Sequence, residues 1–308
     1  MRGPLIDKLA DYWSSKKPKR SKLWQWLSFL LSIALFIYLV YAFAYGRLRL
    51  DQINWKAYSG TVLAVLGIYL LSLIIQFYVW TRIISFHRKV DLQDVNIYAR
   101  MILMRSLPGG AWGWVGRISM YSGGTEVPTR VVVLGNFLEW ALLTLSGVGI
   151  FFFTLPLPVL GFILATLTFC ATLVLAIIWQ PVSLKWYVRL VEASLWISLY
   201  CLVWFLATAI LALIVEAVAG PGQLNGWEAL KVSVFTGSLG MLVSMLPSSL
   251  GIREISLVWL LQAHLSPAIV LLIALMLRII YTLADAIWGM IGWLISTLIL
   301  RKWRPTLK

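Results

Sequence analysis

Charge is scarce in this chain, and acidic charge most of all. Only 12% of its 308 residues are charged, with 12 Asp and Glu against 26 Lys and Arg. A soluble domain of this length carries about twice that share of charge, so a water-soluble globule is excluded. Cysteine and histidine are rarer still, at two each. Cys170 and Cys201 both fall inside apolar stretches and read as small buried hydrophobes, not as a disulfide or metal pair. His87 and His264 stand apart from other ligand types, so no metal site is expected. The chain lacks a Walker loop, an HExxH helix and a GxSxG elbow. No acidic cluster on an aqueous loop suits a nucleotide-sugar metal. An enzyme therefore has no visible toolkit, and no cofactor is implied.

What is present is hydrocarbon. Hydrophobic residues make up 61% of the chain and mean hydropathy is +0.87. This composition predicts an all-α, polytopic helical membrane protein. The polar ends, 1–22 and 301–308, are too short to fold alone, so 1–308 reads as one membrane domain. The first apolar stretch is long and lacks a small-residue cleavage site, which predicts a retained span.

The net charge of +14 raises nucleic acid as a partner, but its distribution argues for a membrane. Arg2, Lys8, Lys16, Lys17, Lys19, Arg20 and Lys22 precede the first apolar stretch, and Arg301, Lys302, Arg304 and Lys308 follow the last. That pattern predicts cytoplasmic termini and attraction to anionic headgroups in a cell membrane. The 17 Trp fit interfacial belts, as at Trp24, Trp26 and Trp303. No basic folded surface is left to host nucleic acid.

Hydropathy places full spans at 24–45, 58–80, 128–154, 159–179, 190–217 and 268–300. Asp91 and Asp94 read as helix-start residues. The helix they open reaches about Ser106 and meets the break SLPGGAWGWVGR at 106–117. Residues 91–121 are read as a re-entrant hairpin from the cytoplasmic side. A second break, LPSSLGIRE at 246–254, divides 228–246 from 254–265, and 228–265 is read as a hairpin from the opposite side. The count is six full spans plus two re-entrant hairpins in an inverted-repeat topology. If both arms of the second hairpin cross fully, it becomes eight.

Unwound backbone and full charge are costly in hydrocarbon and are tolerated only where protein or trapped water satisfies them. The two breaks are therefore the candidate site. At the second, Ser248, Ser249 and Gly251 precede a helix start whose free N–H groups suit an anion, with Arg253 as a phosphate-shaped fork and Glu254 in the first turn. An internal ion pair that holds the hairpin is the competing reading. At the first, Gly109, Gly110 and Gly113 permit tight backbone, Trp112 and Trp114 are amphipathic, and Arg105 and Arg117 bracket the loop. An interfacial loop marked by tryptophan is the alternative there. In the last span Arg278, Tyr281, Thr282 and Asp285 share helical spacing. Arg278 and Asp285 are too far apart to bridge directly, which predicts partners elsewhere, with Glu254 or Glu139 first for Arg278. Asn136 and Glu139, three apart in the third span, read as an interhelical polar contact ahead of a proton-coupling carboxylate.

At these breaks the chain resembles a flippase-like family typified by the membrane region of bifunctional lysyl-phosphatidylglycerol synthases. The resemblance rests on Pro108-Gly109, Trp112 and Gly116-Arg117, then on Pro247 and Gly251-Ile252-Arg253-Glu254. Weaker matches are Glu139 and the Arg278 to Asp285 pair. It covers roughly the second span onward. Family members often carry Pro-Gly-Gly-Leu-Gly before the Arg-Glu, where this chain has Pro247-Ser248-Ser249-Leu250-Gly251. No synthase domain is read in these 308 residues, so aminoacyl-lipid synthesis is not expected from the resemblance. The resemblance implies a lipid translocase for a phospholipid or lipid-linked phosphate intermediate, with Arg117, Arg253 and Arg278 holding the headgroup. Membrane lipids are the implied partners, with a second copy or an envelope-synthesis enzyme as further ones. Two other readings stay open: an integral-membrane transferase using Glu254, Glu139 or Asp285 as base, and a non-catalytic partner in envelope synthesis.

Overall fold

The computed structural model describes residues 55–105, 112–125, 127–243 and 252–303. The predicted span 24–45, the basic segment 1–22, and Pro108, Gly109, Gly110, Pro247, Ser248, Ser249 and Gly251 lie outside the described residues, as do the side chains of Trp112 and Glu254.

Among the described residues the chain forms helices α1 (Trp55–Ser85), α2 (Leu92–Arg105), α3 (Trp112–Gly124), α4 (Thr129–Phe153), α5 (Pro158–Trp179), α6 (Trp186–Ala219), α7 (Gly226–Val243), α8 (Ile252–Leu261) and α9 (Pro267–Trp303), with no strand. Five of them, α1, α4, α5, α6 and α9, are long and apolar enough to cross a membrane. Their outward faces are bare hydrocarbon: Val159, Phe162, Leu167 and Ile178 of α5 are all exposed. The protein is an all-α polytopic membrane protein, as its composition predicts. Cys170, expected to be buried, also lies on an exposed face of α5, because that helix buries only its small residues Gly161, Ala165, Thr172 and Ala176.

Local sequence sets the helix ends. Asp91 Oδ1 accepts from the backbone N–H groups of Gln93 and Asp94 at 2.8 and 3.3 Å, and Asp94 Oδ2 accepts from the N–H of Asp91 at 2.8 Å. This reciprocal capping box starts α2 where the two aspartates predict a start. Asn225 and Glu228 build a second box at α7, with the Glu228 N–H donating to Asn225 Oδ1 at 2.8 Å. Pro158 opens α5 at a position where a missing N–H costs nothing. Gly220, at φ 94°, closes α6 in a conformation that favours glycine.

The arms α2, α3, α7 and α8 have 14, 13, 18 and 10 residues. They form two hairpins that run in opposite senses along α9. In the first, Tyr121 of α3 bonds Asp94 at the base of α2, while Asp285, midway along α9, meets Arg105 at the tip. Gly289 and Gly292, further toward the α9 carboxyl end, face Leu103 and Ala99. The base of this hairpin therefore lies at the carboxyl end of α9. In the second, His264 Nε2 lies 3.6 Å from Glu228 at the base, beside the start of α9. Near its tip, Arg253 packs across Gly240, where an added Cβ would touch its side chain at 3.6 Å.

Helix packing repeats between the halves. Exchanging α1 with α6, α2 with α7, α3 with α8 and α4 with α9 carries the α1–α6 pair onto itself and each other packed pair of these eight helices onto a second packed pair. Thus α2 on α9 answers α7 on α4, and α3 on α4 answers α8 on α9. Only α5 stands outside the exchange among the described helices. It precedes α6 in the chain as the predicted span 24–45 precedes α1. This is the inverted repeat expected from the opposed breaks, and it appears in packing although the two halves share little sequence.

Close approach of α2 to α9 depends on glycine. A Cβ at Gly292 would collide with Ala99, and one at Gly289 with Leu103. Gly292→Val is expected to force these helices apart and to cost about 1–3 kcal/mol. Thermal melting of the solubilised protein checks this, and an unchanged melting temperature would refute the close contact.

Candidate functional site

Among the described residues the most deeply buried cation is Arg117 of α3, which is 2% exposed. Its Nη1 donates to Asn136 Oδ1 at 2.8 Å and to Glu139 Oε2, both on α4. Its guanidinium lies 3.8 Å from the Trp80 ring centroid and 5.0 Å from that of Tyr98. Aromatic faces and a carboxylate thus replace the water an arginine would otherwise need. This is the interhelical contact predicted for Asn136 and Glu139, and its partner is Arg117. The expected pairing of Arg278 with Glu139 is corrected accordingly. Glu139 sits beside α3, which fills that side of α4, and Arg117 already occupies its carboxylate.

A second network holds the base of the first hairpin. Arg88 Nη2 donates to Asp94 Oδ1 at 2.6 Å, Tyr121 Oη donates to the same oxygen at 2.6 Å, and Trp80 Nε1 donates to Tyr121 Oη at 3.0 Å. Trp80 therefore links the two networks, with its N–H on Tyr121 and its ring against Arg117. On the outer side, Arg88 pairs with Asp91 at 3.0 Å. Partial burial works against the ionised Asp91 carboxyl. The bonded Arg88 guanidinium and the N–H groups of Gln93 and Asp94 outweigh it and hold the group below the usual carboxylate range. That contribution is complete above the pH at which aspartate titrates in the unfolded chain, and it is lost as pH falls through the depressed folded value. Protection of the Gln93 and Asp94 amides, taken against the intrinsic exchange rate at each pH, is expected to fall only below roughly pH 4. Loss of that protection already near neutral pH would contradict the cap.

The described ends of α2 and α8 each bring an arginine to one tyrosine pair. Arg105, the last residue of α2, donates from Nη2 to Tyr69 Oη of α1 at 2.8 Å and to Asp285 Oδ1 of α9 at 3.2 Å. Tyr69 Oη also donates to Asp285 Oδ1 at 3.2 Å, closing a triangle. The Tyr69 ring stacks on Tyr281 with centroids 4.4 Å apart. From the other hairpin Arg253, second residue of α8, lies 4.9 Å from the Tyr281 ring centroid and donates to its Oη at 3.4 Å. Two arginines that border breaks more than a hundred residues apart thus share one pair of stacked tyrosines. The Arg105 side chain is 36% exposed and that of Asp285 is 7% exposed.

The structure sorts the predicted residues. Arg105, Arg253, Tyr281 and Asp285 come together. Arg117 and Glu139 form a separate, closed pair behind Arg105, about one helical turn nearer the hairpin base. Arg278 is half-buried on α9, its carbonyl accepting from Thr282 Oγ1 at 2.8 Å, and Thr282 is exposed. On the predicted shared face, Tyr281 and Asp285 are the residues that meet Arg253 and Arg105. Trp114 packs edge-on against Phe137 at 5.1 Å. Sequence reasoning missed Tyr69, Trp80, Tyr98 and Tyr121, since an aromatic residue in an apolar helix reads as packing. The hydroxyl of Tyr69 in an otherwise aliphatic run was the available signal.

These features define a class: a helical membrane protein whose opposed hairpins carry cations to the middle of the bundle. Comparison with protein-family models, with curated proteins and with solved structures finds no match for the chain.

Proposed function

We propose that the protein is a lipid translocase of a cell membrane, moving a phospholipid or lipid-linked phosphate intermediate between leaflets. The observation that carries this reading is the convergence of Arg105 and Arg253, from the described ends of two opposed hairpins, on the Tyr69–Tyr281 pair. Cations at membrane depth are costly and mark the route of a charged ligand. Repeats that enter from opposite sides, with a site where they meet, suit alternating exposure to the two leaflets. The motif resemblance to the flippase-like family points the same way.

In this reading the predicted span 24–45 and the five long described helices make six crossings, and both hairpins are re-entrant. At ten residues, or about 15 Å, α8 falls well short of a bilayer. The end with Arg82, Arg88, Lys89, Arg130, Lys185 and Arg189 faces the cytoplasm, and the end with Glu216, Glu228 and His264 faces outward. The headgroup sits between the tips while its acyl chains stay in lipid.

Reconstitution into vesicles with labelled lipids, followed by leaflet-exchange measurement, tests this. Wild type is expected to exceed the protein-free rate for a phosphate-bearing lipid, and Arg253→Ala to fall at least about tenfold, toward that background. Wild type and Arg253→Ala both at the protein-free rate across a broad lipid panel would end the proposal. A chemically altered lipid detected by mass spectrometry would instead favour a transferase.

A further inference from the structure

We infer that Asp285 is a tethered rival of the ligand: its carboxylate holds the place at Arg105 that the incoming phosphate-ester anion takes, so loading the site exchanges one anion for another. This rests on the translocase reading and specifies how its site is gated.

In the first hairpin Arg117 and Arg105 both have carboxylate partners, and they differ in a way that assigns them different work. Arg117 is 2% exposed, boxed by two aromatic rings, and paired with Glu139. Nothing can reach it without taking that box apart. At the tip the order is reversed. The Arg105 side chain is 36% exposed and that of Asp285 is 7%. An arriving anion meets the cation first. The bond itself is slack: 3.2 Å from Nη2 to Oδ1, against the roughly 2.7–2.9 Å of a good charge-assisted contact. The same nitrogen also serves Tyr69 at 2.8 Å. A shared, stretched, half-open ion pair is one that an external anion can replace.

The exchange has a mechanical consequence. Asp285 belongs to α9 and Arg105 ends α2, so this pair ties the tip of the first hairpin to the long helix. Once an anion takes Arg105, the tie is cut. Arg253 of the second hairpin, already on the neighbouring Tyr281, is placed to share the same anion. Loading therefore releases the Arg105 end of α2 from Asp285, while packing of Leu103 and Ala99 on Gly289 and Gly292 keeps the rest of that helix on α9, and it links that end to the second hairpin. The coupling resides in which anion Arg105 holds.

The test is binding of two probes to the purified full-length protein in neutral detergent: dihexanoyl phosphatidylglycerol, a short-chain anionic phosphodiester, and inorganic phosphate. If Asp285 occupies Arg105 about nine-tenths of the time, removing its charge raises apparent affinity about tenfold. Asp285→Asn is therefore expected to bind the short-chain lipid about tenfold more tightly than wild type. Arg105→Gln is expected to bind it about tenfold more weakly, and the double variant to bind no more tightly than Arg105→Gln alone. Asp285→Glu keeps the charge and is expected to match wild type. Tyr69→Phe removes one donor from Asp285 and is expected to shift affinity in the same direction as Asp285→Asn, which guards against a variant that merely fails to fold. Asp285→Asn or Tyr69→Phe binding more weakly than wild type, or Asp285→Asn still tightening binding when Arg105 is gone, would make Asp285 a positioning group and overturn the inference while leaving translocation standing. Tightening for inorganic phosphate alone would assign the site to the free ion and overturn the lipid reading. No binding of either probe by wild type, Asp285→Asn and Arg105→Gln alike would bring down the translocase reading and this inference together.

Discussion

Replacing Glu139 by alanine is expected to destabilise the protein by about 3–5 kcal/mol, the usual cost of stranding one member of a buried ion pair. Arg117 is 2% exposed and draws its counter-charge from Glu139. Asn136 lends it one neutral oxygen at 2.8 Å, and Trp80 and Tyr98 lend ring faces, none of which carries a negative charge. Without the carboxylate, a cation stays among Met101, Trp80 and Tyr98 with no route to water. The melting temperature of the solubilised protein is expected to fall by roughly 10 °C, taking about 2–4 °C per kcal/mol for a chain of this size. Removing both charges as Arg117→Met with Glu139→Leu is expected to recover most of the loss, since the desolvation cost disappears with the pair. A single variant that melts with wild type would show that Arg117 finds its compensation elsewhere. A double variant as unstable as the single would show that the side chains are needed for shape and not for charge.

Asp94→Ala is expected to be nearly as damaging, by about 3–5 kcal/mol. One buried carboxylate, 1% exposed, accepts from Arg88, from Tyr121 and from the backbone of Asp91. It therefore caps α2, joins α2 to α3, and draws the α1–α2 turn onto both. Losing it strands the Tyr121 hydroxyl and frees the base of the hairpin. The effect should spread along α2, because Arg105 reaches the tip only if the base is held. Eleven residues of helix, about 16 Å, separate the two. Asp94→Ala should thus reduce both thermal stability and lipid exchange in vesicles. Asp94→Asn keeps the acceptor for Tyr121 but loses the charge facing Arg88, and is expected to fall between alanine and wild type. Full lipid exchange by Asp94→Ala would mean that the tip is positioned without the base.

These effects come from contacts that the sequence showed only in part. Helix limits were legible because hydropathy, proline, glycine and capping aspartates act over a few residues. The predicted helix from Asp91 to about Ser106 is α2 at Leu92–Arg105, and the predicted 159–179 is α5 at Pro158–Trp179. Charges beside the breaks were legible as candidates because hydrocarbon penalises them wherever they fall. Their partners were not. Arg278 and Arg117 look alike as lone cations in apolar sequence, yet Glu139 faces Arg117, because α3 folds back against α4 and carries the cation to it. The tyrosines were silent for a related reason. Whether the hydroxyl of Tyr69 meets lipid or Asp285 depends on how α1 is rotated against α9, and a residue's hydropathy is the same either way.

The amino-acid sequence by itself determined that this is a helical membrane protein, where its helices start and stop, and that charge sits at two interruptions. Each of those follows from the solvent preference of residues taken a few at a time. Only the tertiary structure decided that Arg105 and Arg253 share a tyrosine pair and that Arg117 is sealed away with Glu139. Depth and rotation are properties of helices packed against helices, set by glycine contacts such as Gly292 on Ala99 that bring distant segments together.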